Sequence, residues 1–279
     1  MHRYVITDVF TDTPFEGNAL AVFPDGGEVP PERMQRIARE MNLSETVFVL
    51  PAEAGADARI RILTPSTELP FAGHPTLGTA LLLGESTGAD QVRLETGAGE
   101  VAVAFERAGG RIVSGRMRQP IPSWEPYDRA GELLAALGVE ASQLPVVAYR
   151  NGPRHVYVAL ESEQAVAALQ PDLGALAQLP EVGANCFAGA GRRWKTRMFA
   201  PFYGVAEDPA TGSAAGPLAV HLARHGRIAF GEEIEISQGV EIGRPATLHA
   251  RVEGEGDRID VVEVAGSAVV VARGELLRA

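Results

Sequence analysis

The chain has 279 residues, 46% of them hydrophobic and 22% charged, with a formal net charge of −11. That length exceeds one ordinary core and fits two domains of roughly 140 residues each. The acidic balance argues against nucleic acid and anionic membrane surfaces as partners, since both reward clustered Lys and Arg.

In the first half, short β-branched runs predict strands over 4–10, 19–23, 46–50, 59–63, 91–95, 101–105 and 111–117. A helix is expected over 31–41, where Met34, Ile37, Ala38 and Met41 recur at helical spacing behind a proline suited to the first turn. A second helix starts near Pro75 and runs to Gly84. It is apolar nearly all round and so is expected to lie enclosed by strands. The stretch 119–126 holds three prolines and no period, and reads as a linker. Beyond it come a helix over 130–137 and strands over 146–149, 155–160 and 195–200. A helix over 212–225 follows, then strands over 233–238, 246–252, 257–262 and 268–272. The expected domains are 1–118 and 129–279. The sequence leaves open whether the last strand returns to the first domain. No apolar run is long enough to span a bilayer and no signal-peptide pattern is visible.

The order of elements repeats, and so do residues. His74-Pro75-Thr76-Leu77-Gly78-Thr79-Ala80 lines up with Asp208-Pro209-Ala210-Thr211-Gly212-Ser213-Ala214, an offset of 134. Each motif follows a strand and opens an apolar helix. A helix start presents unpaired N–H groups backed by a positive dipole end, an arrangement that binds carboxylates. Two such starts facing each other would clamp a small acid. On this alignment His74 and Asp208 are equivalent and should meet near the cleft as a proton-handling pair. The competing reading is that Thr76, Thr79, Thr211 and Ser213 merely cap helices, with Asp208 an N-cap.

Glu45 sits between the first helix and the next strand. It is either an exposed turn glutamate or a general base, and the second role needs burial to lift its pKa from about 4.3. His221 and His225 have metal-ligand spacing but no third ligand, so no metal is expected. Cys186 is the only cysteine. It excludes an intrachain disulfide, suits a reducing cytoplasm and reads as a small buried hydrophobe. Lys195 is the only lysine, so any Schiff-base chemistry would fall to it. Nucleotide-cradling glycine motifs are absent, and no cofactor is expected.

The chain resembles the PhzF-like phenazine-biosynthesis family, within the diaminopimelate-epimerase superfold. The resemblance rests on Asp8-Val9-Phe10-Thr11 with Pro14-Phe15-Glu16-Gly17-Asn18, on Asn42-Leu43-Ser44-Glu45-Thr46, and on Thr64-Pro65 with Glu68 to Thr76. It continues in Thr196-Arg197-Met198-Phe199-Ala200-Pro201, in Glu207 to Ala214, and in Gln238-Gly239 with Gly243-Arg244-Pro245. It implies an α+β fold of two similar domains, each a β-sheet or barrel curled around a central helix and related by a pseudo-two-fold axis. It also implies a cofactor-independent isomerase acting on a small carboxylated substrate, and commonly a homodimer. Glu45 would be the acid/base, with His74 and Asp208 as the other catalytic groups. Gly73, Gly212, Ser213, Asn18 and Ser44 would contact substrate. In the phenazine enzyme of this family the substrate is trans-2,3-dihydro-3-hydroxyanthranilate, and the glutamate moves a proton from C3 to C1. Relatives that work with two thiols are excluded, because neither helix-opening motif contains cysteine. The alternative is a non-catalytic binder or regulator of small carboxylates on the same fold.

Overall fold

A computed structural model describes residues 1–277. The chain divides into two compact units, one of Met1–Arg118 plus the residues from Ala265 onward, the other Gln119–Val264.

The first unit runs β1 (His2–Val9), β2 (Asn18–Phe23), α1 (Pro31–Met41), β3 (Glu45–Leu50), β4 (Ala58–Leu63), β5 (Glu68–Leu69), α2 (Gly73–Thr87), β6 (Gln91–Thr96), β7 (Gly99–Ala108) and β8 (Arg111–Arg118). β1 pairs antiparallel with β2, β2 parallel with β3, β3 antiparallel with β4, β4 parallel with β6, and β6 with β7 and β7 with β8 antiparallel. Strands β1, β2, β3, β6, β7 and β8 all touch α2. The helix is buried from Gly73 through Leu81, as its lack of a polar face requires. Gly78 permits the close approach: a Cβ there would collide with Val9 and Leu20 on β1 and β2. On the other side of the sheet, α1 lays Met34 and Ala38 over Phe23, Phe48 and Leu63.

The second unit runs β9 (Ser123–Pro126), α3 (Ala130–Leu137), β10 (Val147–Arg150), β11 (Arg154–Ala159), α4 (Glu163–Ala167), α5 (Leu173–Ala177), β12 (Gly183–Ala190), β13 (Arg193–Ala200), β14 (Val205–Asp208), α6 (Gly212–Arg224), β15 (Glu233–Gln238), β16 (Ala246–Glu255) and β17 (Arg258–Gly266). Its enclosed helix is α6, buried from Gly212 to Ala223. β18 (Ala268–Leu276) then pairs along the whole of β1, from His2 opposite Leu276 to Val9 opposite Ala268. The last strand therefore returns to the first unit.

The stretch read as a linker is a correction. Its second half is β9, antiparallel to β10 with Trp124 opposite Tyr149. Pro122 precedes the strand and Pro126 ends it, positions where a missing N–H is tolerated.

Pro217 lies inside α6 and removes the N–H that Ser213 C=O would accept. Asn151 supplies the replacement, its Nδ2 donating to that carbonyl at 3.0 Å. Gln119 Nε2 and Tyr157 Oη donate to the flanking carbonyls of Gly212 and Ala214 at 2.8 and 2.6 Å. The first turn of α6 is thus fastened from three sides. Asn151→Ala leaves a buried carbonyl unpaired and is expected to cost about 1–3 kcal/mol, read from urea denaturation midpoints. An unchanged midpoint contradicts this account of the proline.

Candidate active site

In the first unit, α1 ends with Asn42 in the left-handed conformation at φ 51°. Asn42 is therefore a C-cap, and the chain turns through half-buried Ser44 into β3. Glu45 is the first residue of β3, in register with Leu20 of β2. Asn18 opens β2 and is 1% exposed. His74 lies in the first turn of α2 and not in a loop ahead of it.

These three side chains form a chain of contacts. His74 Nε2 lies 3.3 Å from Glu45 Oε2, with the two side chains 4% and 14% exposed. His74 Nδ1 lies 3.3 Å from Asn18 Nδ2. Burial pushes the His74 imidazole down to about 3, so it is neutral and its contact with Glu45 is no ion pair. With the Asn18 amide donating to Nδ1, the ring proton resides on Nε2, on the Glu45 side of the ring, although the 3.3 Å approach falls short of hydrogen-bond geometry.

The start of α2 is open. Its N-cap, Ala72, offers no side-chain cap, and Thr76 turns its hydroxyl back to Ala72 C=O at 2.8 Å. Thr76 N–H also reaches Ala72 C=O, and Pro75 has no N–H. Gly73 and His74 are left as the amides without an acceptor inside the helix.

The second unit repeats that arrangement. The N-cap of α6, Thr211, makes no side-chain cap either. Its hydroxyl instead donates to Asp208 Oδ2 at 2.6 Å. Ala214 and Ala215 N–H both go to Thr211 C=O, which leaves the amides of Gly212 and Ser213. The capping reading of these threonines is thereby excluded, as is Asp208 as an N-cap.

Gln238 latches this corner. Its Oε1 accepts from Thr211 N–H and Thr196 Oγ1, both at 3.2 Å. Its Nε2 donates to Asp208 C=O at 2.8 Å and Thr211 Oγ1 at 2.9 Å. Gln238→Leu removes all four bonds and is expected to cost about 2–4 kcal/mol while loosening Asp208. Thermal denaturation at neutral pH measures the loss.

The helix starts also correct the repeat. Gly73 and Gly212 are the equivalent residues, an offset of 139 and not 134. His74 therefore corresponds to Ser213, each the second residue of its helix. Asp208 ends β14, ahead of the helix, and has no counterpart in His74. The motif letters matched, but the backbone places them in different elements.

The remaining reactive residues are occupied. Cys186 is buried and its thiol pushed up to about 12, chiefly by burial, so it offers no thiolate. Lys195 Nζ is paired with Glu241 at 2.7 Å. His221 bonds Tyr149 through Nδ1 at 3.2 Å and stacks on Tyr157. Among the described residues no group of three His, Cys, Asp or Glu is placed to hold a metal ion. Among them also, no helix is long and apolar enough to cross a membrane.

Residues 7–274 match the family model described as phenazine biosynthesis-like protein. The chain is 58% identical over 274 residues to trans-2,3-dihydro-3-hydroxyanthranilate isomerase of Pseudomonas aeruginosa, covering 98% of this chain and 99% of that one. It superposes on the crystal structure of a PhzF-family phenazine biosynthesis protein from Bacillus anthracis with a TM-score of 0.85 and 26% identity, each chain 99% covered. A hydroxyproline epimerase from Agrobacterium vitis shares the fold at a TM-score of 0.69 and 14% identity, covering 99% of this chain and 90% of that one. Two units each built around a buried helix, near-complete coverage by the family model and high identity to a curated isomerase agree: the chain is an isomerase and belongs to the phenazine biosynthesis-like protein family.

Proposed function

We propose that this isomerase converts trans-2,3-dihydro-3-hydroxyanthranilate by moving one proton with one carboxyl group. Glu45 as carboxylate takes the proton from C3, the electrons shift along the conjugated ring, and Glu45 as acid returns the proton to C1. The enol so formed becomes the ketone, and no atom is gained or lost. The observation that carries this reading is the contact of half-buried Glu45 with the buried His74 and Asn18, beside a helix start without a side-chain cap.

Each remaining assignment follows from chemistry. His74 packs against the Glu45 carboxyl at 3.3 Å and limits the orientations open to it. The amides at Gly73 and Gly212 suit an anionic oxygen, such as the substrate carboxylate. Asn18 acts through His74, and Ser44 sets the turn that presents Glu45. Within the second unit, Asp208 and Ser213 are the catalytic and substrate-binding groups beside Gly212. We place the enzyme in the cytoplasm, which the single buried thiol supports, and as a homodimer, which the family resemblance supports.

The test is turnover of trans-2,3-dihydro-3-hydroxyanthranilate by the purified protein in D2O, with NMR of the product. An isomerised product that has lost its hydrogen at C3 and gained one at C1 is the expected result, with deuterium at C1 only to the extent that the Glu45 carboxyl exchanges with solvent before returning the proton. A protein that binds the compound yet leaves its C3 and C1 positions unchanged is no isomerase of it.

A further inference from the structure

The second unit contains a hydrogen-bonded relay that ends on Ser213. Asn185 Nδ2 donates to Gly183 C=O at 2.9 Å, and a carbonyl can only accept, so the nitrogen of that amide is fixed in place. The second N–H of the same nitrogen meets His155 Nδ1 at 3.3 Å. Nδ1 must accept, so the single proton of the neutral ring lies on Nε2. That nitrogen is 3.0 Å from Ser213 Oγ. All three side chains are at most 4% exposed, so water does not take over these roles.

The direction of this relay matters. In a nucleophilic serine the imidazole accepts the hydroxyl proton. Here the imidazole donates. Ser213 Oγ receives the His155 proton and keeps its own to give elsewhere, on the same helix turn as the amides of Gly212 and Ser213.

We propose that His155 is a positioning residue that makes the Ser213 hydroxyl an obligate donor to an anionic oxygen of the substrate. Burial holds the imidazole neutral, its pKa pushed down to about 3, so the tautomer alone sets the direction. The same logic operates in the first unit, where Asn18 orients His74 toward Glu45. The inference rests on the site reading given above and adds two residues, His155 and Asn185, to it.

Two measurements test it. The first is 15N NMR of histidine-labelled wild-type protein, which reads the His155 tautomer without any mutation of the relay. The Nε2–H form is expected, and the Nδ1–H form overturns the proposal. The second is a double-mutant cycle on turnover of trans-2,3-dihydro-3-hydroxyanthranilate. His155→Leu should lower kcat/KM by about tenfold to a hundredfold, and by less than about twofold when Ser213→Ala is already present. His155→Gln, whose amide can still donate, should recover most of the loss. Equal effects of His155→Leu in both backgrounds overturn the proposal, since the residue then acts independently of Ser213. Failure of the site reading looks different: Glu45→Gln would keep its activity whatever the state of His155.

Discussion

Glu45→Gln is expected to lower kcat by roughly 10³ to 10⁴-fold while leaving the affinity for an unreactive carboxylate analogue within a fewfold of wild type. The size follows from what surrounds Glu45. His74 is a base in contact with it, its Nδ1 taken up by Asn18 and its Nε2 lying 3.3 Å from Glu45 Oε2. The lone pair of that neutral imidazole sits on Nδ1 and accepts from the Asn18 amide, so the ring has none to offer a substrate carbon. Gln keeps the shape and can still meet His74, so the folded structure should persist. Only proton transfer is lost. A glutamine variant with wild-type kcat contradicts the assignment of Glu45, whereas loss of analogue binding alongside kcat points to a structural role.

The second large effect is on stability in mild acid. His74, His155 and His221 are all buried, and burial pushes each down to about 3 from an ordinary 6.5. Above pH 6.5 both folded and unfolded forms are neutral, and stability is unaffected. As pH falls below 6.5 the unfolded chain takes up protons that the native state refuses, so stability is lost progressively down to about 3. His155 and His221 belong to the second unit, whose stability should fall by about 3 kcal/mol between pH 6.5 and 5. Trp124 and Trp194, the only tryptophans, lie in the same unit and report its unfolding by fluorescence. Their urea midpoint should drop steeply over that range. His221→Phe, placed among Tyr149, Tyr157 and Phe187, should halve the slope. A midpoint flat from pH 7 to 5 contradicts the neutral-histidine account.

Much of this architecture was legible where chemistry and periodicity coincide. Helix α1 announced itself by Met34, Ile37, Ala38 and Met41, and α2 and α6 by apolar residues on every face. β12 did not: Gly183-Ala184-Asn185-Cys186-Phe187-Ala188 has small residues and no alternation, because both its faces are buried and it pairs parallel to β11. The short helices α4 and α5 were missed too, although Ser162 and Asp172 cap them, because five residues carry no period.

The site was half legible. Glu45, His74 and Asn18 were named, and the structure brings them together. The equivalence of His74 with Asp208 failed because a shared Pro-x-x-Gly pattern was aligned by letter, while the helices begin five residues apart on that alignment. Gln238 lay inside a recognised motif and its latch could have been suspected. His155 could not: Asn185 and Ser213 are 30 and 58 residues away in the chain, and only the fold joins them.

The central claim is that a single half-buried carboxyl breaks the bond at C3 and remakes one at C1. Trans-2,3-dihydro-3-hydroxyanthranilate carrying deuterium at C3, followed by NMR in the presence of wild type and Glu45→Gln, tests it most directly. The wild type should cleave C3–D with a primary isotope effect, and the variant should leave the label in place though the compound is bound. Label loss at the wild-type rate in the variant would mean that another group takes the proton.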